Sequence, residues 1–557
     1  MNMKYKFTKI VAFLIAILLV LTACGNGKTS TYNGDGQVLR KVLSQDMTTF
    51  DTAHATDNVT FDVFNQVYEG LYTLDKNDQA IPAIAEGKPK KSDGGKTLTI
   101  KLRKDAKWSN GDKVTANDFV YAWKRVLNPK TASEYAYIMY DIKNAEDINM
   151  GKKKVDDLGV KAVNDHTLKI QLTKPIPYIN ELLAFGTFLP QNPKAVKKYG
   201  DKYGTTPEKT VFNGPFKVKQ WSPEDKLLMV KNNNYWDKKK VHLSKVNYKI
   251  IKDSQSGASL YDTGSVDDTA ITSEQVDKYK DSPALKKRLL AFTWFIKMNE
   301  KKVPEFKNKD FRLAIAQAIN KKEYVNDVLN NGSKTMDKFT ARETFLSPDG
   351  KDYSDGVKSK LQYNPQQARE HFEKAKKELG KDKFEFTLNT NETPSDKVGS
   401  EYLKSQIQKN LPGVTVKIKQ MPGKQRISAE LSGNYETTLS GWGPDYADPL
   451  TFLNIMTTGN SQNNTGWGSK KYDEMVKDAN GKLLKKPEER DKTLKEAETY
   501  YLSEAPVAPI FQQGQAHLTN PQVKGIIYHK IGGDTTLKGA YIDKSINRKT
   551  GKKKKDN

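Results

Sequence analysis

Apolar and polar residues alternate through Thr97-Leu98-Thr99-Ile100-Lys101-Leu102, which predicts a strand with one buried face. Asn110-Gly111 follows as a turn pair that tolerates positive φ. Thr115 and Asp118 then form a capping box ahead of Phe119, Ala122, Trp123, Val126 and Leu127, whose spacing sets them on one helical face until Pro129 stops the helix. Farther on, residues 384–388 and 414–418 read as strands flanking an amphipathic helix over 395–411, a βαβ unit that predicts a partly parallel sheet. Two more helices are marked by their ends: one over Pro365–Leu379, between Asn364 as N-cap and Gly380, and one starting at Asn320 with Glu323 completing its box. Alternating strand and helix signals, with no repeat at solenoid or propeller periods, predict an α/β protein.

The N-terminal pattern is different. Lys4, Lys6 and Lys9 precede an apolar run over 10–21, closed by Leu21-Thr22-Ala23-Cys24. This reads as a secretory signal (1–23) with a small-residue cleavage site, too short for a comfortable membrane span. Cys24 is the one cysteine in 557 residues, which excludes an intrachain disulfide. Leu-Thr-Ala-Cys followed by Gly25 resembles a bacterial lipobox, whose cysteine is diacylated before the preceding bond is cut. Two acyl chains anchor stably where one is marginal. Residues 24–36, rich in Gly, Asn, Ser, Thr and Lys, suit a flexible tether. No later apolar run approaches membrane length, so the expected mature body is soluble and of two or three structural units.

Composition adds a basic surface. The formal charge is +25, of which the three leader lysines account for 3, leaving +22. The lysines are spread along the chain without a basic-region or RNA-binding motif, so nucleic acid is not an expected partner; acidic wall polymer or anionic lipid fits better. The tail from 546 to 557 is the one concentrated basic run and is expected to lack order.

Catalytic chemistry is hard to find. The chain contains no Gly-x-Ser-x-Gly elbow and no His-Glu-x-x-His helix, and His54, His166, His242, His371, His517 and His529 show no ligand spacing. Gly94-Gly95-Lys96-Thr97 imitates a phosphate-binding loop, but Lys90 stands where its leading glycine belongs. Asp267-Asp268 is expected to be a solvated acidic pair. These readings imply no catalytic residue, cofactor or metal.

Several tracts, in order along the chain, resemble the peptide-binding family of importer solute-binding proteins, the oligopeptide and dipeptide binders. They are Phe50-Asp51 with Val67-Tyr68-Glu69-Gly70-Leu71-Tyr72; Leu98 to Arg103 with Trp108-Ser109-Asn110-Gly111 and Thr115 to Phe119; Asn213-Gly214-Pro215-Phe216 with Asn234-Tyr235-Trp236; and Phe311-Arg312-Leu313-Ala314. The last is Gly441-Trp442-Gly443-Pro444-Asp445-Tyr446 with Asn463-Asn464-Thr465-Gly466-Trp467. The resemblance implies a two-lobed periplasmic-binding-protein-like fold with an extra domain inserted in the first lobe. The expected division gives the first lobe 37–73, 207–292 and 511–545, the inserted domain 74–206 and the second lobe 293–510. Strand crossings between lobes are expected near 292–295 and 508–511.

The implied function is capture of extracellular oligopeptides, by a monomer, for an ABC-transporter permease and ATPase, on the outer face of the cell membrane of a Gram-positive bacterium. Family peptides lie extended and pair their main chain with protein strands, while hydrated pockets accept varied side chains. In the family the aspartate matching Asp445 receives the peptide's α-ammonium. Trp442 is expected to wall the same pocket, Gly443, Tyr446, Ala55, Thr56 and Asp57 to contribute contacts, and Tyr137 and Asn464 to complete the set. Where some members carry carboxylate-binding arginines, this chain has Glu430, Tyr435 and Leu439, which favours longer or variable-length peptides. The same fold could instead hold a nickel chelate, haem or an oligosaccharide, or serve a dedicated signalling peptide. An anchored hydrolase or adhesin is the reading from another class.

Overall fold

A computed structural model describes residues 37–554. The readings on the leader, the Cys24 lipobox and the tether up to residue 36, and on 555–557, lie outside the described residues.

One large mixed sheet spans two hydrophobic cores. From edge to edge its order is Val414–Met421, Phe384–Asn391, Thr437–Trp442, Leu285–Met298, Val507–Thr519, Asp268–Ile271, Val38–Leu43, Lys245–Ile250, Lys226–Lys231 and Phe216–Ser222. The βαβ reading holds in register: Phe384 pairs with Val414 and Asn391 with Met421 in parallel, connected by the helix Pro394–Asn410. Leu403 and Ile407 bury that helix against the second core.

A pair of long antiparallel strands, Leu285–Met298 and Val507–Thr519, leads out of the second core to a smaller cluster around Tyr261, Val266 and Leu518. Their register is broken where the chain passes from one core to the other: Leu289 faces Gly514, yet Thr293 faces Gln512, leaving 290–292 bulged, and a second shift follows at Trp294. A bulge interrupts the ladder and re-aims the side chains beside it. Here it turns Leu290, Ala291 and Phe292 toward the space between the halves.

The first core runs from Leu39 to Tyr248 and returns at Leu537–Ile542; the second is built from residues 291–511. Within the first, Lys90–Ser92, Thr97–Lys101, Thr167–Gln171 and Val160–Asn164 form a separate four-stranded antiparallel sheet. Leu98 and Ile100 are buried, as the alternation requires. The helix Ala116–Leu127 covers this region; the Asp118 carboxylate accepts the Thr115 backbone N–H at 3.2 Å and the Trp108 indole N–H at 2.9 Å.

Three expectations change. The helix begun at Asn320, whose side chain accepts the Glu323 N–H at 3.2 Å, passes after one turn into a π-helix at Tyr324–Leu329. Asp267 and Asp268 are buried rather than solvated, because each has cations: Asp267 takes Arg40 at 2.9 Å, and Asp268 takes Lys41 at 3.7 Å and the Thr519 hydroxyl at 2.6 Å. The basic tail is ordered through 554. Residues 546–553 close a hairpin by an Ile546–Lys553 bridge, and Arg548 reaches inward to donate to the carbonyls of Tyr261 (3.0 Å) and Val266 (2.8 Å). An arginine with two carbonyl acceptors and an aromatic face to lie on holds a basic segment that charge repulsion alone would release.

Candidate functional site

Between the halves lies a cleft of about 460 Å³. The Leu290–Phe292 bulge forms one part of its wall and the segment Gly441–Asp445, which ends the strand Thr437–Trp442, forms another. Tyr135, Tyr137 and Asn58 face them from the first core's side. Glycine at 441 and 443 has a steric cause: an added Cβ would stand 2.2 Å and 2.7 Å, respectively, from the ring of Phe292, which lies over this segment.

Asp445 is positioned by its backbone, not its side chain. Its N–H donates to the Thr451 hydroxyl at 3.0 Å, and the Trp442 indole N–H donates to the Thr451 carbonyl at 2.8 Å. One residue therefore locks both. The loop that follows is pinned by Asp448, which is buried and receives Arg490 through two bonds of 2.7 and 2.8 Å. The Asp445 carboxylate itself makes no hydrogen bond or ion pair among the described residues, and burial pushes its pKa up to about 6. Burial first, and the Asp445 charge second, raise the facing Tyr135 phenol to about 12. Asp445 is thus a partly buried acceptor whose ionised form lacks a cation.

Elsewhere the same wall carries the opposite charge. Glu430 is shared by Lys297 at 2.8 Å and Arg426 at 2.8 Å, and it also accepts the Ser440 hydroxyl at 2.7 Å. Burial pushes the Glu430 carboxyl up, but the two cations outweigh it and hold it below its ordinary value. Two cations and one carboxylate leave a net positive cluster. The cluster does not follow from the family positions, because Arg426 lies one helical turn before Glu430 and Lys297 comes from a strand 133 residues away. A basic residue four before an unexpected glutamate was the one available signal.

The expected residues divide. Asp445, Trp442, Gly443 and Tyr137 line the cleft together. Tyr446 lines, with Asp445, an adjoining pocket rather than this part of the cleft, and its ring stacks on Tyr178 at 4.6 Å between centroids and 13° between planes, packing against both cores. Asn464 lies behind the wall, its amide engaged by the Tyr435 hydroxyl at 2.8 Å and the Glu430 carbonyl. Asp57 spends its carboxylate capping the helix Asn58–Val67, accepting the N–H and hydroxyl of Thr60 at 2.8 and 2.7 Å. Ala55, Thr56 and Asp57 do not line the cleft, although the next residue, Asn58, does; their N–H groups donate to no described residue, and Ala55 is buried. Among the described residues no group of three or more His, Cys, Asp or Glu could hold a metal ion, and no helix is long and apolar enough to cross a membrane.

Comparison with known proteins fits this geometry. Residues 79–464 match the family described as bacterial extracellular solute-binding proteins, family 5 Middle. The dipeptide-binding protein of Lactococcus lactis subsp. cremoris is 36% identical over 558 residues, covering 96% of this chain and 100% of that one. Among solved structures, the substrate-binding domain of an oligopeptide ABC transporter from Bacillus anthracis superposes with a TM-score of 0.77 at 41% identity, over 91% of this chain and 99% of that one. Listeria monocytogenes OppA bound to peptide gives 0.76 at 38%, over 92% and 100%. With a match over most of its length and a two-core fold joined by crossing strands, the chain belongs to the bacterial extracellular solute-binding proteins of family 5.

Proposed function

We infer that this protein captures extracellular oligopeptides in the cleft between its halves and delivers them to the permease of an ABC importer. The observation that carries the reading is the charge pattern of one cleft, with the unpaired carboxylate of Asp445 on one part of the wall and the net-positive Lys297–Glu430–Arg426 cluster on another. A zwitterionic chain matches both, and it would supply the cation that Asp445 lacks. The strand end at Gly441–Gly443, in the cleft wall, offers main-chain pairing, which every peptide can use regardless of sequence. Relatives carry names that agree, being called dipeptide-binding and oligopeptide-binding proteins.

The rest of the reading follows from this role. The bulge at 290–292 is the hinge about which lobes at 37–73 with 207–292 and 511–545, and at 293–510, close on ligand. The protein works as a monomer and releases peptides unaltered. Mass spectrometry of ligands carried through purification tests the ligand class directly: peptides are expected, whereas haem, a nickel chelate or an oligosaccharide would replace the reading. Added peptide should raise thermal stability by mass action, by about 2.7 kcal/mol at a hundredfold excess over Kd.

The lipobox-like tract at 21–24 supports anchoring on the outer face of a Gram-positive cell membrane through a diacylated Cys24. Cys24→Ser should release most of the protein from washed membranes into the medium while its peptide binding is unchanged. Retention of the variant through high-salt washing would refute the acyl anchor.

A further inference from the structure

The C-terminal hairpin and the first described residue are clamped together. The Gln37 side chain donates to the Ile542 carbonyl at 3.0 Å and accepts the Ile542 N–H, and the next residue, Val38, opens a strand of the large sheet. The point at which the tether enters the body is therefore bound to the segment leading into the basic hairpin. Cys24 precedes Gln37 by 13 residues, a reach of at most about 45 Å when fully extended.

Five lysines of this segment, Lys544, Lys549, Lys552, Lys553 and Lys554, are exposed, and none makes an ion pair among the described residues. The arginines nearby are differently disposed. Arg548 is turned into the protein against Tyr261, Val266 and Asp267, and Arg40 is bonded to Asp267 and the Gly264 carbonyl. Few acidic groups offset the lysines: Asp543 accepts from Ser545 and keeps its charge near Lys524 and Lys553, and Asp262 pairs with Lys278, which leaves the segment with an excess of positive charge. Arg548 holds the hairpin against the body, and the side chains of the five lysines point outward without an ion-pair partner among the described residues.

We propose that this face is a docking surface for anionic lipid headgroups, which lays the tethered end of the protein against the membrane through residues that do not line the peptide cleft. The lipid surface is favoured over other anions by position: the lysines stand at the one end of the body that a lipid-modified Cys24 would hold near the membrane. This part of the argument rests on the anchor reading, but the surface can be tested without it. Lysines near an anionic bilayer each contribute about fivefold to binding, within a Debye length of the surface.

The test uses the chain from Gly25 onward, which carries no acyl group, with vesicles of phosphatidylcholine alone or mixed with phosphatidylglycerol at low and high salt. Expected is salt-sensitive sedimentation with the phosphatidylglycerol vesicles only. Replacing the five lysines by Gln should weaken it at least about tenfold, with melting and peptide binding unchanged. Replacement of all five by Arg should retain it. Equal binding to both vesicle types, or undiminished binding by the Gln variant, would overturn the proposal. So would competition by soluble poly(glycerol phosphate) at equal phosphate concentration, which would assign the face to a wall polymer. Failure of the Cys24→Ser release experiment would remove the anchor and leave these vesicle results standing.

Discussion

Asp445→Asn is expected to weaken binding of a free-amine peptide by about 3–5 kcal/mol, two to three decades or more in Kd. The cause is the loss of one partner from a charge pair closed away from water. The same substitution should stabilise the empty protein. Below pH 3.8 the carboxyl is neutral in both folded and unfolded chains and costs nothing. Between pH 3.8 and about 6 the unfolded chain ionises this carboxyl while burial keeps the folded one protonated, so stability falls across that window and the cost reaches at most about 3 kcal/mol above it. Removing the charge removes that cost at neutral pH, so Asp445→Asn should melt higher when empty and gain less from peptide. Binding by the unmodified protein should also fall below pH 6, approaching tenfold per pH unit, because the carboxylate protonates while the peptide amine stays charged. Titration calorimetry and melting between pH 5 and 7 measure both. Equal peptide affinity across that range would separate Asp445 from the ligand.

The second large effect lies behind the loop. Arg490→Met should cost about 3–5 kcal/mol of stability, since it leaves the buried Asp448 carboxylate without its two-bond partner. Arg490→Lys should recover part of this, because an ammonium supplies charge without the planar fork. Combining Arg490→Met with Asp448→Asn should cost less than the sum of the two, the signature of direct coupling. Urea unfolding measures each. A loss under about 1 kcal/mol for Arg490→Met would mean that the pair contributes no more than an exposed one.

What the chain disclosed before its structure depended on how local the cause was. The βαβ unit at Phe384–Met421 was legible because strand alternation, helix face and turn residues all lie within 38 residues of one another. Caps at Asn364 and Thr115 were legible for the same reason. The bulge at 290–292 was not, since Leu289 to Phe295 is nearly continuous apolar sequence whose period says nothing about a register shift. Asp267 and Asp268 looked solvated because the cations that bury them come from other strands. At the site, resemblance led to Asp445 and Trp442, but it carried Tyr446 along as a neighbour in sequence. Its ring points to Tyr178 instead, because the loop turns between the two residues. The positive cluster was only half legible: Arg426 and Glu430 lie one turn apart on a single helix, but Lys297 comes from a distant strand, and only folding brings it to them.

A two-by-two calorimetric titration shows whether Asp445 receives the α-ammonium of a peptide. The unmodified protein and Asp445→Asn are each titrated with one peptide and with its N-acetylated form. Acetylation removes the ligand's charge and strands the carboxylate, so the unmodified protein should lose about two to three decades of affinity. Asp445→Asn should distinguish the two peptides far less, leaving a coupling energy of several kcal/mol between substitution and acetylation. Additive effects, or acetylated and free peptides binding the unmodified protein equally well, would contradict the account.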